Sequence, residues 1–374
     1  MTGSPIRIAA HCGGGTFGGT ETWTARFLAG LQERGHSVHI FARDSAMVAR
    51  FAEFGVPVSV GKVGGVVMLP DAVRLARRLR RFSPDVFLCL TTRKMWLAGL
   101  AGRWARVPRT LFRVANQGAH PNHALTRFAF HRFVDQVLCN ADELRRPFLD
   151  NTPGFDPERV ITVYDGVAAR VPTPGVAVRN ELGLEGVPVI GAVGRLAGQK
   201  RFDRLIEAVS LLPDVHCVIA GDGPARAALE EQIGRLGLAG RVHLLGFRPD
   251  VPDVLAALDV FVLTSDFEGM SNAMLEAMSM GVPVVSTPVS GAAEALLPVA
   301  GDPAGVVVPA GQEAIARACR RLLADEPRRA ALGRTARARY ESAFTFGGMM
   351  DVWERVLRGE SLGPLHQGPS PLVS

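Results

Sequence analysis

Short apolar runs alternate with amphipathic segments along the whole chain. Runs rich in β-branched residues predict buried strands, and apolar residues that recur every three or four positions predict helices. In the first half the predicted strands are Ile6–His11, Val38–Ala42, Val86–Leu90, Thr110–Val114 and Val137–Cys139, and the predicted helices are a segment from Trp23 that Gly35 ends and the segment Asp71–Phe82. This alternation is typical of a mostly parallel sheet with helices on both faces.

The same pattern starts again after a break in the middle of the chain. Residues 172–175 read Pro-Thr-Pro-Gly, which interrupts any periodic pattern and predicts a linker. Beyond it the predicted strands are Val189–Val193, Val215–Ala220, Val242–Leu244, Val260–Leu263 and Val284–Ser286, and the predicted helices are Phe202–Leu212, Asp325–Tyr340 and Met349–Leu357. We therefore expect two α/β domains, at residues 1–172 and 176–345, and a C-terminal helix with a loose tail at 346–374.

The composition fits a folded intracellular protein. Of the 374 residues, 47% are hydrophobic and 21% are charged, which is typical of a globular chain. The five cysteines are odd in number and widely scattered, so they predict neither a disulfide framework nor a zinc site. No signal-peptide pattern and no long uninterrupted apolar stretch is present, which predicts a cytoplasmic protein that does not span a membrane.

The positive charge is concentrated in the first half. Residues 1–175 contain 23 Lys and Arg against 13 Asp and Glu, which leaves 19 against 23 for the rest. The predicted helix Asp71–Phe82 places Val73, Ala76, Leu79 and Phe82 on one side and Arg74, Arg77, Arg78 and Arg81 elsewhere. Such a face suits an anionic membrane or an acidic acceptor, but an ordinary solvated helix would show it too. Nucleic-acid binding is not expected, because the arginines are not interleaved with aromatic residues.

A glycine-rich segment at residues 13–21 lies between the first predicted strand and the first predicted helix. Glycines there let the backbone approach a diphosphate, and the start of the helix offers free N–H groups. Gly13, Gly15 and Gly18 also satisfy a dinucleotide-binding pattern with Asp44 as the ribose partner, so an NAD-dependent enzyme is one alternative. A flexible turn without any ligand is another.

A second loop carries two cations. Arg195 and Lys200 follow the strand Val189–Val193 and precede a helix. Side chains so placed can converge on one pyrophosphate and offset the charge that develops on a departing nucleoside diphosphate. Two solvated surface charges are the alternative interpretation.

The segment 265–278 gives the most specific signal. Glu268 follows the strand Val260–Leu263, and Ser271 or Asn272 is expected to cap a helix that Gly281 closes. Glu268 near the helix start can accept hydrogen bonds from sugar hydroxyls, and Glu276 on the helix can reach both hydroxyls of a ribose. Lys200 and Glu268 are both expected to face a solvent-filled cleft.

The pair Glu268 and Glu276 resembles the E-x7-E arrangement of the large class of retaining GT-B glycosyltransferases of the family 4 type. The resemblance extends to segments 18–21, 195–200, 220–224, 246–250 and 281–285. It therefore covers most of the second half and the start of the first. It implies an α/β fold of two Rossmann-like doubly wound domains that face a central cleft, the first binding the acceptor and the second the nucleotide-sugar donor.

The resemblance also implies a role for each matching position. Gly18 and Gly19 lie beside the donor diphosphate, Arg195 and Lys200 bind its phosphates, backbone groups of Phe247 and Arg248 border the base, Glu276 holds the ribose, Glu268 contacts the transferred sugar, and the N–H groups of Met270, Ser271 and Asn272 complete the site. The family needs no metal or other cofactor, because the two cations replace one electrostatically.

The implied reaction moves a hexose-type sugar from a UDP-sugar, or next a GDP-sugar, to a saccharide or lipid-linked acceptor. Bacterial cell-surface glycan synthesis, at the inner face of the cytoplasmic membrane, is the expected setting. Many relatives place a catalytic His after the strand Thr110–Val114, where this chain offers Asn116 or His120. That departure leaves open a catalytically silent binding subunit, and an epimerase or sugar phosphorylase of the same fold is a further alternative.

Overall fold

The computed structural model describes residues 4–13, 18–61, 68–90, 95–115, 124–171, 176–297 and 301–362. They divide into two compact units. Described residues up to Val163 and from Met350 onward form the first unit, and those from Tyr164 to Met349 form the second. The predicted linker at 172–175 lies outside the described residues.

The first unit is built on a parallel sheet. Its strands are β1 (Arg7–Cys12), β2 (Ser37–Ala42), β3 (Val58–Val60), β4 (Val86–Cys89), β5 (Arg109–Val114), β6 (Gln136–Cys139) and β7 (Val160–Thr162). Their order is β3-β2-β1-β4-β5-β6-β7, so the winding direction changes between β1 and β4. Helices cover both faces, which explains why strands such as β4 are buried at every position.

The helices of this part of the chain are α1 (Gly19–Glu33), α2 (Ser45–Ala52), α3 (Met68–Phe82), α4 (Met95–Ala105), α5 (Ala124–Phe133) and α6 (Arg145–Asn151). The basic helix α3 packs on α4, and α4 packs on α5. The buried face of α3 is formed by Ala72, Leu75, Ala76 and Leu79. Of the predicted apolar side, formed by Val73, Ala76, Leu79 and Phe82, only Ala76 and Leu79 are buried, whereas Val73 and Phe82 are half-buried.

The second unit contains a second parallel sheet. Its strands are β8 (Val189–Val193), β9 (His216–Ala220), β10 (Val242–Gly246), β11 (Val260–Leu263), β12 (Val284–Ser286) and β13 (Val306–Val307). Their order is β10-β9-β8-β11-β12-β13. The winding direction changes between β8 and β11, and ligands of doubly wound folds bind beyond the carboxyl ends of the strands at such a point.

The remaining helices are α7 (Val176–Leu182), α8 (Phe202–Ser210), α9 (Arg226–Arg235), α10 (Val251–Ala256), α11 (Asn272–Ser279), α12 (Ser290–Leu296), α13 (Gln312–Ala324), α14 (Glu326–Ala343) and α15 (Phe346–Arg358). They form two apolar cores in the second unit, one containing residues of α11 and α14 and the other containing residues of α8 and α13. The predicted two-sided covering of the sheets is confirmed.

The observed division lies before the predicted boundary at residue 172. The Val167 N–H donates to the Phe344 carbonyl at 3.0 Å, and the Tyr340 hydroxyl donates to the Val167 carbonyl at 2.9 Å. These bonds attach the segment after β7 to the second unit. The helix α15 is not a separate appendage, because Trp353 packs against Phe27 of α1 in the first unit with ring centroids 4.6 Å apart.

All five cysteines are buried, and none of them forms a disulfide. Among the described segments, no helix combines the length and the hydrophobicity that crossing a bilayer requires.

Candidate functional site

The loops that follow β8 and β9 are in backbone contact. The Leu196 N–H donates to the Asp222 carbonyl at 3.0 Å. A Cβ atom on Gly221, whose φ is +145°, would lie 1.8 Å from the Gly194 carbonyl oxygen. Only glycine fits there. The turn after β9 therefore supports the loop that carries Arg195.

The loops that follow β8 and β11 are also joined. The Thr264 hydroxyl donates to the Lys200 carbonyl at 2.8 Å. The Asp266 N–H donates to the Gln199 carbonyl at 3.0 Å, and the Gln199 amide donates to the Phe267 carbonyl at 2.8 Å. Two segments that are distant in sequence are thus held side by side where the winding of the sheet changes direction.

Two arginines brace this junction. Arg204 of α8 is buried and donates to the Thr264 carbonyl and the Asp266 carboxylate, each at 3.0 Å. Arg201 donates to the same carboxylate at 3.1 Å. Burial opposes ionisation of Asp266, but the hydrogen bonds from Arg204 and Arg201 outweigh it and lower the pKa of the carboxyl. The ion pairs of Asp266 with Arg204 and Arg201 are therefore charged at neutral pH.

Lys200 and Glu268 meet at this junction. The Lys200 Nζ lies 2.5 Å from Oε1 of Glu268, and the Ser265 hydroxyl donates to the same oxygen at 2.8 Å. Glu268 is 9% exposed. Lys200 and Ser265 thus cover most of the Glu268 carboxylate, and the prediction that it faces a solvent-filled cleft stays a prediction. The sequence motif contained Ser265, but its contact with Glu268 was not predicted.

The helix α11 begins beside Glu268. Ser271 is its N-cap and accepts a hydrogen bond from the Met274 N–H at 3.4 Å, so the choice between Ser271 and Asn272 falls on Ser271. Gly281, with φ of +72°, follows the helix end as predicted. Asn272 occupies the first helical position, and Met270 and Ser271 are buried.

Glu276 lies farther along α11 and pairs with a residue that sequence reasoning missed. Its Oε1 accepts a hydrogen bond from Nη2 of Arg170 at 3.2 Å. The two residues are 106 positions apart, so no local pattern connects them.

The other predicted site residues of the second unit differ in how exposed their side chains are and in the contacts that these side chains make. Arg195 is exposed and makes no side-chain hydrogen bond or ion pair with another described residue. Phe247 is 78% exposed. The Arg248 guanidinium is occupied by Glu181 and Asp250, at 2.8 and 2.7 Å. Only the backbone of Arg248 remains for the role the resemblance implies.

In the first unit, Gly18 precedes α1, and its N–H donates to the Glu21 carboxylate at 3.1 Å. Gly19 begins α1 with open space around it. Asp44 caps α2 by accepting from the Met47 N–H at 3.0 Å, which is a structural use of the proposed ribose partner. Asn116 and His120 lie outside the described residues.

No group of three or more His, Cys, Asp or Glu side chains is placed to hold a metal ion in the described part of the chain. The charged groups near the ends of β8 and β11 and along α11 include the carboxylates of Glu268 and Glu276 and the cations of Arg195 and Lys200. Such a set can bind phosphates through its cations and sugar hydroxyls through its carboxylates.

Two doubly wound α/β units, with this site at the carboxyl edge of the second sheet, define the GT-B class of glycosyltransferases. The chain belongs to the family 4 type of that class. Residues 177–339 match the family described as Glycosyl transferases group 1, and residues 17–170 match the one described as Glycosyltransferase Family 4.

Individual relatives agree with this assignment. The chain is 30% identical to the lipopolysaccharide core biosynthesis glycosyltransferase LpsE of Rhizobium meliloti, over 73% of this chain and 76% of that protein. It is 33% identical to the 2-deoxystreptamine glucosyltransferase of Streptomyces kanamyceticus, over 76% of this chain and 81% of that one. The crystal structure of Anabaena HepE in complex with UDP has the same fold, with a TM-score of 0.84 at 23% identity over 95% of this chain and all of that one.

Proposed function

We propose that this glycosyltransferase moves a hexose-type sugar from a nucleotide-diphosphate sugar to a saccharide or lipid-linked acceptor, with retention of configuration and without a metal ion. A UDP-sugar is the first choice of donor and a GDP-sugar the second. The HepE structures with UDP and with UDP and glucose support the first choice. The names of two Rhizobium meliloti relatives, the lipopolysaccharide core biosynthesis glycosyltransferases LpsE and LpsD, support a cell-surface glycan as the product.

The observation that carries the proposal is the junction of the loops after β8 and β11. It brings Lys200, Glu268 and the start of α11 together at the point where ligands of doubly wound folds bind. Arg195 remains available to a phosphate on the neighbouring loop. Glu276 lies along the same helix, within reach of a ribose bound at its start.

In the proposed reaction the bond between the anomeric carbon and the diphosphate oxygen breaks. The acceptor hydroxyl attacks the same face, and its proton passes to the leaving phosphate oxygen. Arg195, Lys200 and the N–H groups of residues 270–272 offset the charge that develops on that phosphate. Glu268 orients the sugar through its hydroxyls, so catalysis rests on leaving-group stabilisation and positioning.

The first test is a thermal-shift screen of the full chain against UDP, GDP, ADP and NAD, with EDTA or with magnesium. A ligand bound only by the folded state raises the melting temperature. We expect one nucleoside diphosphate to do so equally in EDTA and in magnesium. A shift that requires magnesium would overturn metal independence, and a response to NAD alone would overturn the donor assignment. An inverted anomeric centre in the product, read by NMR, would overturn retention.

We also propose that the enzyme acts in the cytoplasm, at an anionic membrane surface contacted by the helices α3, α4 and α5. Their exposed side chains combine positive charge with apolar groups. Arg77 and Arg78 of α3 are exposed, as are Leu125 and Phe128 of α5, at 51% and 57%. Basic residues attract anionic headgroups, and apolar side chains enter the interface.

Sedimentation with phosphatidylglycerol vesicles tests this surface, with phosphatidylcholine vesicles as the neutral comparison. The variant Arg77→Glu/Arg78→Glu should lose binding to the anionic vesicles. A matched control, Arg317→Glu/Arg321→Glu, changes the net charge equally on two exposed arginines of α13. Equal losses in both variants would mean a general charge effect and would remove α3 from the proposal.

A further inference from the structure

Arg170 lies outside the sequence motifs that carry the family resemblance, yet it contacts the residue assigned to the ribose. The guanidinium of Arg170 and the carboxylate of Glu276 are 3.2 Å apart, and the side chains are 29% and 11% exposed. An ion pair this far removed from solvent is screened less than one on the surface. Arg170 therefore constrains the direction of the Glu276 carboxylate.

The backbone that carries Arg170 is itself fixed. Val167, three positions earlier, is hydrogen-bonded to the Phe344 backbone and to the Tyr340 hydroxyl. Tyr340 belongs to α14, and α14 packs directly on α11, which carries Glu276. The ion pair thus joins α11 to a segment that is anchored on α14 three residues before Arg170.

The guanidinium also carries an unsatisfied group. The Arg170 Nε is buried and has no hydrogen-bond partner among the described residues. A buried donor without a partner costs free energy, and such costs are tolerated chiefly where a side chain serves a site. Arginine suits an orienting role because its planar fork holds a carboxylate in one plane, whereas a lysine ammonium does not.

We propose that Arg170 is a positioning residue for ribose recognition. It holds Glu276 in the orientation in which the carboxylate accepts hydrogen bonds from the ribose hydroxyls of a nucleoside diphosphate. The inference rests on the proposed function. Its consequence is specific: loss of Arg170 weakens the part of the affinity that depends on the ribose hydroxyls and leaves the phosphate-dependent part intact.

Calorimetric titration with UDP and with 2′,3′-dideoxy-UDP separates these two parts, with the corresponding guanosine pair run in parallel. We expect Arg170→Met to bind UDP about tenfold more weakly and to bind the dideoxy analogue as the wild type does. Adding Arg170→Met to Glu276→Gln should cause no further loss. The control Arg337→Met, which removes an exposed ion pair of α14 with Glu341, should bind both ligands normally.

An equal loss for UDP and its dideoxy analogue, or no loss for either, would overturn the role of Arg170. If Arg170→Met does not fold, Arg170→Lys replaces it, and we expect an intermediate loss confined to UDP. A wild-type protein that binds neither UDP nor GDP would instead overturn the proposed function, and this inference with it. A wild type that prefers UDP over the dideoxy analogue, alongside an unchanged Arg170→Met, would overturn the inference alone.

Discussion

The ammonium of Lys200 lies 2.5 Å from the carboxylate of Glu268. The proposed reaction gives these groups different partners, a phosphate for Lys200 and the transferred sugar for Glu268. A donor diphosphate must therefore compete with Glu268 for the ammonium. The two charges to which the proposed reaction assigns separate partners are paired with each other.

Neutralising Glu268 should separate binding from turnover. In Glu268→Gln the ammonium of Lys200 is no longer claimed by a carboxylate, so the affinity for UDP should stay equal or increase. Turnover should fall by roughly 10²–10³, the usual cost of losing one oriented polar group at a reacting centre. Titration calorimetry and initial rates of UDP release measure the two effects.

The matched variant is Lys200→Met, which removes the side chain that we propose binds the donor phosphate. It should weaken UDP binding by about tenfold or more, since a charge-assisted contact is lost. If Glu268→Gln weakens UDP binding as much as Lys200→Met does, the Glu268 carboxylate does not compete with the donor phosphate for the Lys200 ammonium.

Adding one methyl group at the turn after β9 should disrupt the site. Gly221→Ala would place a Cβ atom 1.8 Å from the Gly194 carbonyl oxygen, at a φ of +145°. We expect a loss of at least about 3 kcal/mol of stability. Gly234→Ala in α9 is the control, because nothing lies within 4 Å of its new methyl group. Thermal melts should show a large decrease for the first variant and none for the second.

The buried imidazole of His11 makes stability depend on pH. Burial lowers the pKa of His11 to about 4, against a smaller opposing effect of a hydrogen bond with the Gly61 backbone. An unfolded histidine titrates near 6.5, so between these pH values the unfolded chain binds more protons. The free energy of unfolding should therefore fall as the pH falls, by on the order of 1 kcal/mol per pH unit from this residue.

Urea denaturation at pH 7 and pH 5 measures this dependence. His11→Gln should show a smaller loss of stability between the two pH values than the wild type, because the buried titratable group is absent. Identical losses in both proteins would assign the acid sensitivity to other groups.

Removing the indole of Trp353 should destabilise the first unit. Trp353 is 1% exposed and packs on Phe27 and Trp23. Trp353→Ala should cost about 3–5 kcal/mol. Hydrogen exchange should quicken in β1 and α1 and remain unchanged in β8 and α11. Trp104→Ala, at a position that is 37% exposed, serves as the control and should leave both regions protected.

The regular core of both units was predictable from local patterns. Every predicted strand is present, with ends that move by at most two residues. The strands that the pattern did not predict are β3, β7 and β13, and each lies at an edge of its sheet. They are two or three residues long, too short to show a period, and they form by pairing with a neighbouring strand.

For the site, too, local sequence patterns predicted only part of what the structure shows. Glu268, Glu276 and Lys200 could be predicted because each belongs to a segment with its own motif. The pairing of Glu276 with Arg170 could not, because it joins residues that only the folded chain brings together. For the same reason the Pro-Thr-Pro-Gly break was a poor guide to the domain boundary: Val167 bonds to Phe344, far along the chain.

The path of α15 determines the order in which the protein can assemble on the ribosome. Among the described residues the second unit is one continuous stretch of sequence, and the first is not, because Trp353 and its neighbours complete its core. Residues up to Val163 emerge first but must wait, with the aromatic surface around Phe27 uncovered, until the second unit and α15 have been synthesised. The unit translated first is thus the one finished last, and its unfinished core is the surface that a nascent-chain chaperone would need to shield.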